Sequence, residues 1–148
     1  MPIKSFRGKL ADGAIQTIAL ATNNGSTGYR IVKFDLFPVT PNVNQESLVS
    51  IFKVSQTAAA TTTDFADNTL LGAGLYLSKE STLDQHLEIV FDNEIFNQDI
   101  YITHTEGEAT RECNYYIELE QMNLALDENT TATLKDIKNI EGHNLILE

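Results

Sequence analysis

The chain has 148 residues, 42% of them apolar and 21% charged, with a formal net charge of −11. That length fits one domain with a core of its own, needing neither disulfides nor metal to fold. The acidic balance repels nucleic-acid phosphates and anionic lipid, so no direct DNA, RNA or membrane partner is expected.

Cys113 is the single cysteine, which excludes an intramolecular disulfide and a cysteine zinc cluster. The opening "MPIKSFRGKL" lacks the apolar stretch of a signal peptide. No run approaches the roughly eighteen apolar residues of a membrane span. The protein is therefore expected to be made in a cytoplasm, where the sequons beginning at Asn24 and Asn129 carry little meaning.

Most of the chain reads in period two, the strand period. "PIKSFRGKL" and "AIQTIAL" flank Asp12-Gly13, a dipeptide that signals a hairpin. "TNNGSTG", residues 22–28, reads as a loop. "GYRIVKFDLFP" follows as a strand with Val32, Phe34 and Leu36 on one face and Lys33 and Asp35 on the other, stopped by Pro38. "SLVSIFKVSQ" is apolar on both faces around Val49, Ile51 and Phe52, the pattern of a central strand or a subunit contact. The Ala/Thr-rich stretch 57–68 breaks the pattern and reads as a long exposed loop pinned at Phe65.

"TLLGAGLYL" is a strand with Leu71, Leu75 and Leu77 inward, and Gly72 and Gly74 mark a bulge or a close backbone approach. "DQHLEIVF" alternates cleanly: Leu87, Ile89 and Phe91 in, His86 and Glu88 out. "QDIYIT" is expected to pair with it. "CNYYIELEQMNL" directs Cys113, Tyr115, Ile117 and Leu119 inward. The period then changes. Leu134, Ile137 and Ile140 recur three apart, Asp127 suits an N-cap and Gly142 a stop, which predicts a short helix over 128–141. The whole, 1–148, is expected to be one all-β domain: an antiparallel β-sandwich or jelly roll of about eight strands with one short C-terminal helix.

Chemistry-bearing residues are sparse. His86, His104 and His143 have no metal-binding spacing. Ser81, Asp84 and His86 hold the letters of a triad, but triads are assembled in space from separate segments, and there is no G-x-S-x-G elbow. The glycines form no phosphate loop. Cys113, on an apolar strand face, reads as an inert buried thiol. "FDNEIFNQDIYIT", residues 91–103, is dense in oxygen donors. An EF-hand loop wants ligands at its first, third and fifth positions, Gly at the sixth and Glu at the twelfth. Counted from Asp92, the fifth is Phe96, the sixth Asn97 and the twelfth Thr103, so the match fails. The favoured reading is a connection in which these groups brace turn amides while Ile95 and Phe96 close the core. An irregular calcium site on Asp92, Glu94, Asn97 and Asp99 is the alternative.

"FDNEIFNQDIYIT" with "CNYYIELEQMNLALDENTTATLKDIKNIE" resembles the C-terminal half of small virion structural proteins of marine tailed bacteriophages. "FRGKLADGAIQTIAL…GYRIVKFDLFP" is similar to their N-terminal half. The resemblance covers most of the chain and misses the Ala/Thr loop. It implies a non-enzymatic particle component without cofactors or a small-molecule substrate. Its expected place is the outer capsid surface of the virion, as a decoration or cement protein made in the bacterial host cytoplasm. The expected partners are the major capsid protein and further copies of the chain, as a homo-oligomer such as a trimer. Phe6, Val49, Ile51 and Phe65 are the expected interface residues, on the N-terminal strand, strand 47–55 and loop 57–68. A tail or baseplate piece is the runner-up. A carbohydrate-binding sandwich is a third reading, with Tyr29, Tyr101 and Tyr116 as its platform.

Overall fold

The structure, a computed structural model, describes residues 2–22, 24–80 and 84–124. The helix expected over 128–141 and the position of Ser81 lie outside the described residues.

Among the described residues, eight antiparallel strands build two sheets: β1 Ile3–Leu10, β2 Ile15–Ile18, β3 Thr27–Pro38, β4 Gln45–Phe52, β5 Leu70–Ser78, β6 Gln85–Phe91, β7 Ile100–Glu106 and β8 Cys113–Asn123. One sheet runs β1-β8-β3 and the other β2-β7-β4-β5-β6. This is the all-β sandwich that the sequence predicts. The chain alternates between sheets as a jelly roll does, except that β6 stays beside β5 and does not join β3. The five-stranded sheet is therefore the wider of the two.

The clearest sequence pattern gives the clearest strand. Cys113, Tyr115, Ile117 and Leu119 of β8 are at most 3% exposed. They share one core with Ile31, Phe34 and Leu36 of β3 and with Val49, Ile51, Ile100 and Ile102 of the opposite sheet. Burying each such aliphatic side chain stabilises the fold by about 1.5–3 kcal/mol. β4, apolar on both faces, is the middle strand of its sheet, between β7 and β5.

Local signals mislead at several places. Asp12-Gly13 does turn the chain, with Gly13 at φ 82°. The turn is a corner and not a hairpin: β1 pairs with β8, while β2 pairs with β7 in the other sheet. The corner is pinned from β7. Gly13 N–H donates to the His104 carbonyl, and the Asp12 carboxylate accepts from Glu106 N–H. β6 and β7 are likewise not partners, because β5 and β4 lie between them. Residues 92–99 therefore form a crossover.

In β3 a register shift between Ile31 and Lys33 turns Val32 outward, 37% exposed, and brings Ile31 in with Phe34. One extra residue inverts the alternation beyond it. A second shift falls between Ile51 and Phe52, where β4 meets β5. Leu71 stays inward, but Tyr76 takes the core position, with Leu75 and Leu77 half-buried on the other side. The close approach expected at the glycines is present: a Cβ on Gly74 would lie 2.8 Å from Leu36 Cδ1 and 2.9 Å from Ile89 Cδ1. At the end of the sheet, Ile89 and Phe91 of β6 pack against the core, whereas Leu87 is 45% exposed.

Candidate functional site

The oxygen-rich connection 92–99 is held by separate commitments. Asp92 Oδ1 accepts from Glu94 N–H in a tight Asx turn. Glu94 pairs with the buried Lys53 ammonium at 2.9 Å. The fully buried Asn97 donates its amide to the Gly25 carbonyl. Asp99 Oδ1 accepts from Leu20 N–H and Ala21 N–H, at 2.8 and 2.9 Å. The four side chains thus engage a local turn, a lysine and, at two separate points, the connection between β2 and β3. Among the described residues no three His, Cys, Asp or Glu side chains gather as cation ligands would. Phe96 closes the core at 2% exposure, but Ile95 points away at 39%.

The interior holds a polar chain that the sequence reading does not anticipate. His104 and Ser47 are fully buried and Gln45 nearly so. Gln45 Nε2 donates to Ser47 Oγ at 2.8 Å and to the Glu112 carbonyl at 3.1 Å. His104 Nε2 lies 2.9 Å from Ser47 Oγ, and its Nδ1 lies 3.0 Å from the Ala11 carbonyl. A carbonyl only accepts, so Nδ1 carries a proton, and in the neutral ring Nε2 then accepts from the serine hydroxyl. Strand parity in "IYITHTE" carries the signal: His104 and Glu106 continue the inward row of Ile100 and Ile102.

Glu106 ends that row as an anchor. Its Oε1 accepts from Glu46 and Glu108 N–H, and its Oε2 from Ala109 and Arg111 N–H. Burial by itself raises its pKa, but the four amides outweigh that, and the carboxyl sits below its ordinary value. Cys113 is fully buried nearby, and burial pushes its thiol up to about 11. A neutral, enclosed thiol is a poor nucleophile. These groups satisfy one another and the corner between the sheets; none of them opens to a substrate.

Contact surface is what the fold leaves accessible. Loop 57–68 crosses the outer face of the five-stranded sheet and is pinned at Ala60, which donates to Thr103 Oγ1 and accepts from Thr105 Oγ1 of β7. Phe65 is not the anchor, being 72% exposed. It lines two concavities that also share Val90, one over Leu48 and Leu75 and one against Gly72 and Phe91. Val49 and Ile51 are fully buried within the protomer, so their side chains have no surface to offer a partner. Phe6 is half-buried against the core. Of the three platform tyrosines, Tyr29 belongs to the core. His86 lies exposed on β6 beside Glu88, at 3.1 Å.

The fold and its surface define an antiparallel sandwich with a sealed polar interior and an exposed aromatic loop. No protein-family model matches the chain, and no curated protein matches it either.

Proposed function

We propose that this chain is a non-enzymatic structural protein of a bacteriophage virion, acting as a decoration protein on the outer capsid. It would bridge neighbouring major capsid subunits and, with further copies of itself, add contact area that stabilises the shell against internal DNA pressure. Mass action favours the assembled state to which it binds.

One observation carries the reading. The stretches that resemble phage virion proteins coincide with β1, β2, β3, β7 and β8, which make the whole three-stranded sheet and two strands of the other, and the exposed loop 57–68 lies outside the resemblance. A sandwich that exposes an aromatic-tipped loop suits a scaffold that presents a contact to a partner. Jelly-roll sandwiches serve in capsids and in lectins alike, so the wiring supports the reading without selecting it. The net charge of −11 favours an outward position over one against the genome.

Adding purified protein to expanded capsids that lack it tests the proposal. Saturable binding on the capsid exterior is expected. No binding, or labelled protein found on the tail of complete particles, overturns it; the second result would favour the tail or baseplate reading.

A further inference from the structure

We propose that the free edge of β6 is a self-association surface, and that two copies join there as antiparallel β6 strands about a twofold axis. The inference stands apart from the virion reading, since it concerns the chain's contact with itself.

Four strands end the two sheets: β1, β3, β2 and β6. Exposed edges are usually guarded by lysines, prolines, bulges or shortness. β1 carries Lys4, Arg7 and Lys9. β3 carries a register shift, Lys33 and a terminal Pro38. β2 is only four residues long. β6, "QHLEIVF", has regular register along β5 and no lysine, arginine or proline. Its exposed side chains include Leu87 at 45% and Val90 at 49%. Leu87 also lines an open groove with Phe37, which is 71% exposed. Among the described residues, β6 pairs with β5 alone.

The edge is self-complementary. Asp92 N–H donates to the Leu71 carbonyl, which extends the β5–β6 ladder by one step. In an antiparallel ladder, alternate residues point their N–H and C=O to the same neighbour. Val90, Glu88 and His86 thus bond to β5, and Gln85, Leu87, Ile89 and Phe91 present their peptide groups to the free edge. An antiparallel pair centred on Leu87 sets Leu87 opposite its own copy and Gln85 opposite Ile89. The same register sets each His86 opposite Glu88 of the other copy. His86 already contacts Glu88 within its own strand, so the four side chains would alternate around the axis. Sliding the centre to Glu88 sets two carboxylates face to face, which is destabilising. Centring on Ile89 leaves Glu88 opposite Val90. Charge therefore selects the Leu87 register. The product is a dimer; a trimer would need a different edge.

Leu87→Cys in the full chain tests both contact and register. Directly opposed residues of a hydrogen-bonded pair have Cα atoms about 5.5 Å apart, inside the disulfide range of about 4.4–6.8 Å. Mild oxidation should give a covalent dimer with Leu87→Cys and little with Gln85→Cys or Ile89→Cys, while the buried Cys113 takes no part. Leu87→Pro removes an N–H that bonds nothing within the protomer, so it should abolish the dimer in sedimentation while circular dichroism stays that of the folded chain. A wild-type monomer at the highest soluble concentration overturns the proposal. Crosslinking through Ile89→Cys in place of Leu87→Cys overturns it equally, as does a dimer that survives Leu87→Pro or requires residues 125–148.

Discussion

Phe96 and Tyr29 exchange both of their backbone hydrogen bonds, at 2.9 and 2.8 Å, and stack their rings with centroids 6.3 Å apart. This isolated bridge fastens the crossover 92–99 to β3, so the segment that leaves one edge of the five-stranded sheet is anchored on the opposite sheet. It ties a segment rich in acids and amides to the core through its one buried aromatic.

Phe96→Ala should therefore cost about 3–5 kcal/mol, the usual range for deleting a buried phenylalanine. Ile95→Ala, one residue away and 39% exposed, should cost well under half of that. Urea unfolding of both variants checks the contrast. Equal losses would mean that the crossover is not held by Phe96.

Glu106 gives the fold an acid limb. Its folded pKa lies below its unfolded value, so its stabilisation is complete above the ordinary glutamate pKa of about 4.3 and is lost as pH falls from there through the folded pKa. Glu106→Gln should lose about 1–3 kcal/mol near neutral pH, because charge-assisted bonds to backbone amides weaken. The variant should also show a flatter fall of stability below that pH. Denaturant midpoints across an acid pH series measure both.

The buried histidine makes a spectroscopic prediction. His104 should be the tautomer protonated at Nδ1, because Nδ1 faces the Ala11 carbonyl. Long-range proton–nitrogen NMR correlations report the tautomer directly. Ser47→Ala removes the donor to Nε2 and the acceptor from Gln45, and should cost about 1–3 kcal/mol.

Cys113 should resist thiol reagents in the native protein at neutral pH and react fully once unfolded, since it is fully buried with a pKa raised to about 11. Counting modified protein by mass spectrometry with and without denaturant checks this. Rapid native labelling would show that the sandwich opens there.

Side-chain alternation made β8 and the central place of β4 legible in the sequence, because one-sided or two-sided burial writes itself into local residue order. Strand partners were not legible. Asp12-Gly13 encodes a turn with a positive φ at Gly13, but whether the next strand folds back or changes sheet depends on β7 and β8, which lie far along the chain. The same holds for β6 and β7, separated by two strands. A bulge resets parity: the one beside Val32 has no residue that marks it, and the one at Leu71 is marked by Gly72, but the glycine does not say which face the following residues, Tyr76 among them, will take. At the site, Phe65 looked like an anchor because an aromatic in a polar loop usually finds a pocket; the loop is instead tied by its backbone at Ala60. Val49 and Ile51 satisfied both a core and a contact reading, and burial assigns them to the core.

Phe65 separates contact from folding. Phe65→Ser should leave stability within about 0.5 kcal/mol, as expected for an exposed position. Titrating wild type and Phe65→Ser onto expanded capsids that lack the protein tests the central claim most directly. The account predicts saturable binding by the wild type, a raised melting temperature of the decorated capsid, and clearly weaker binding by the variant. Wild-type protein that fails to bind the capsid, or that binds only tails, would contradict it.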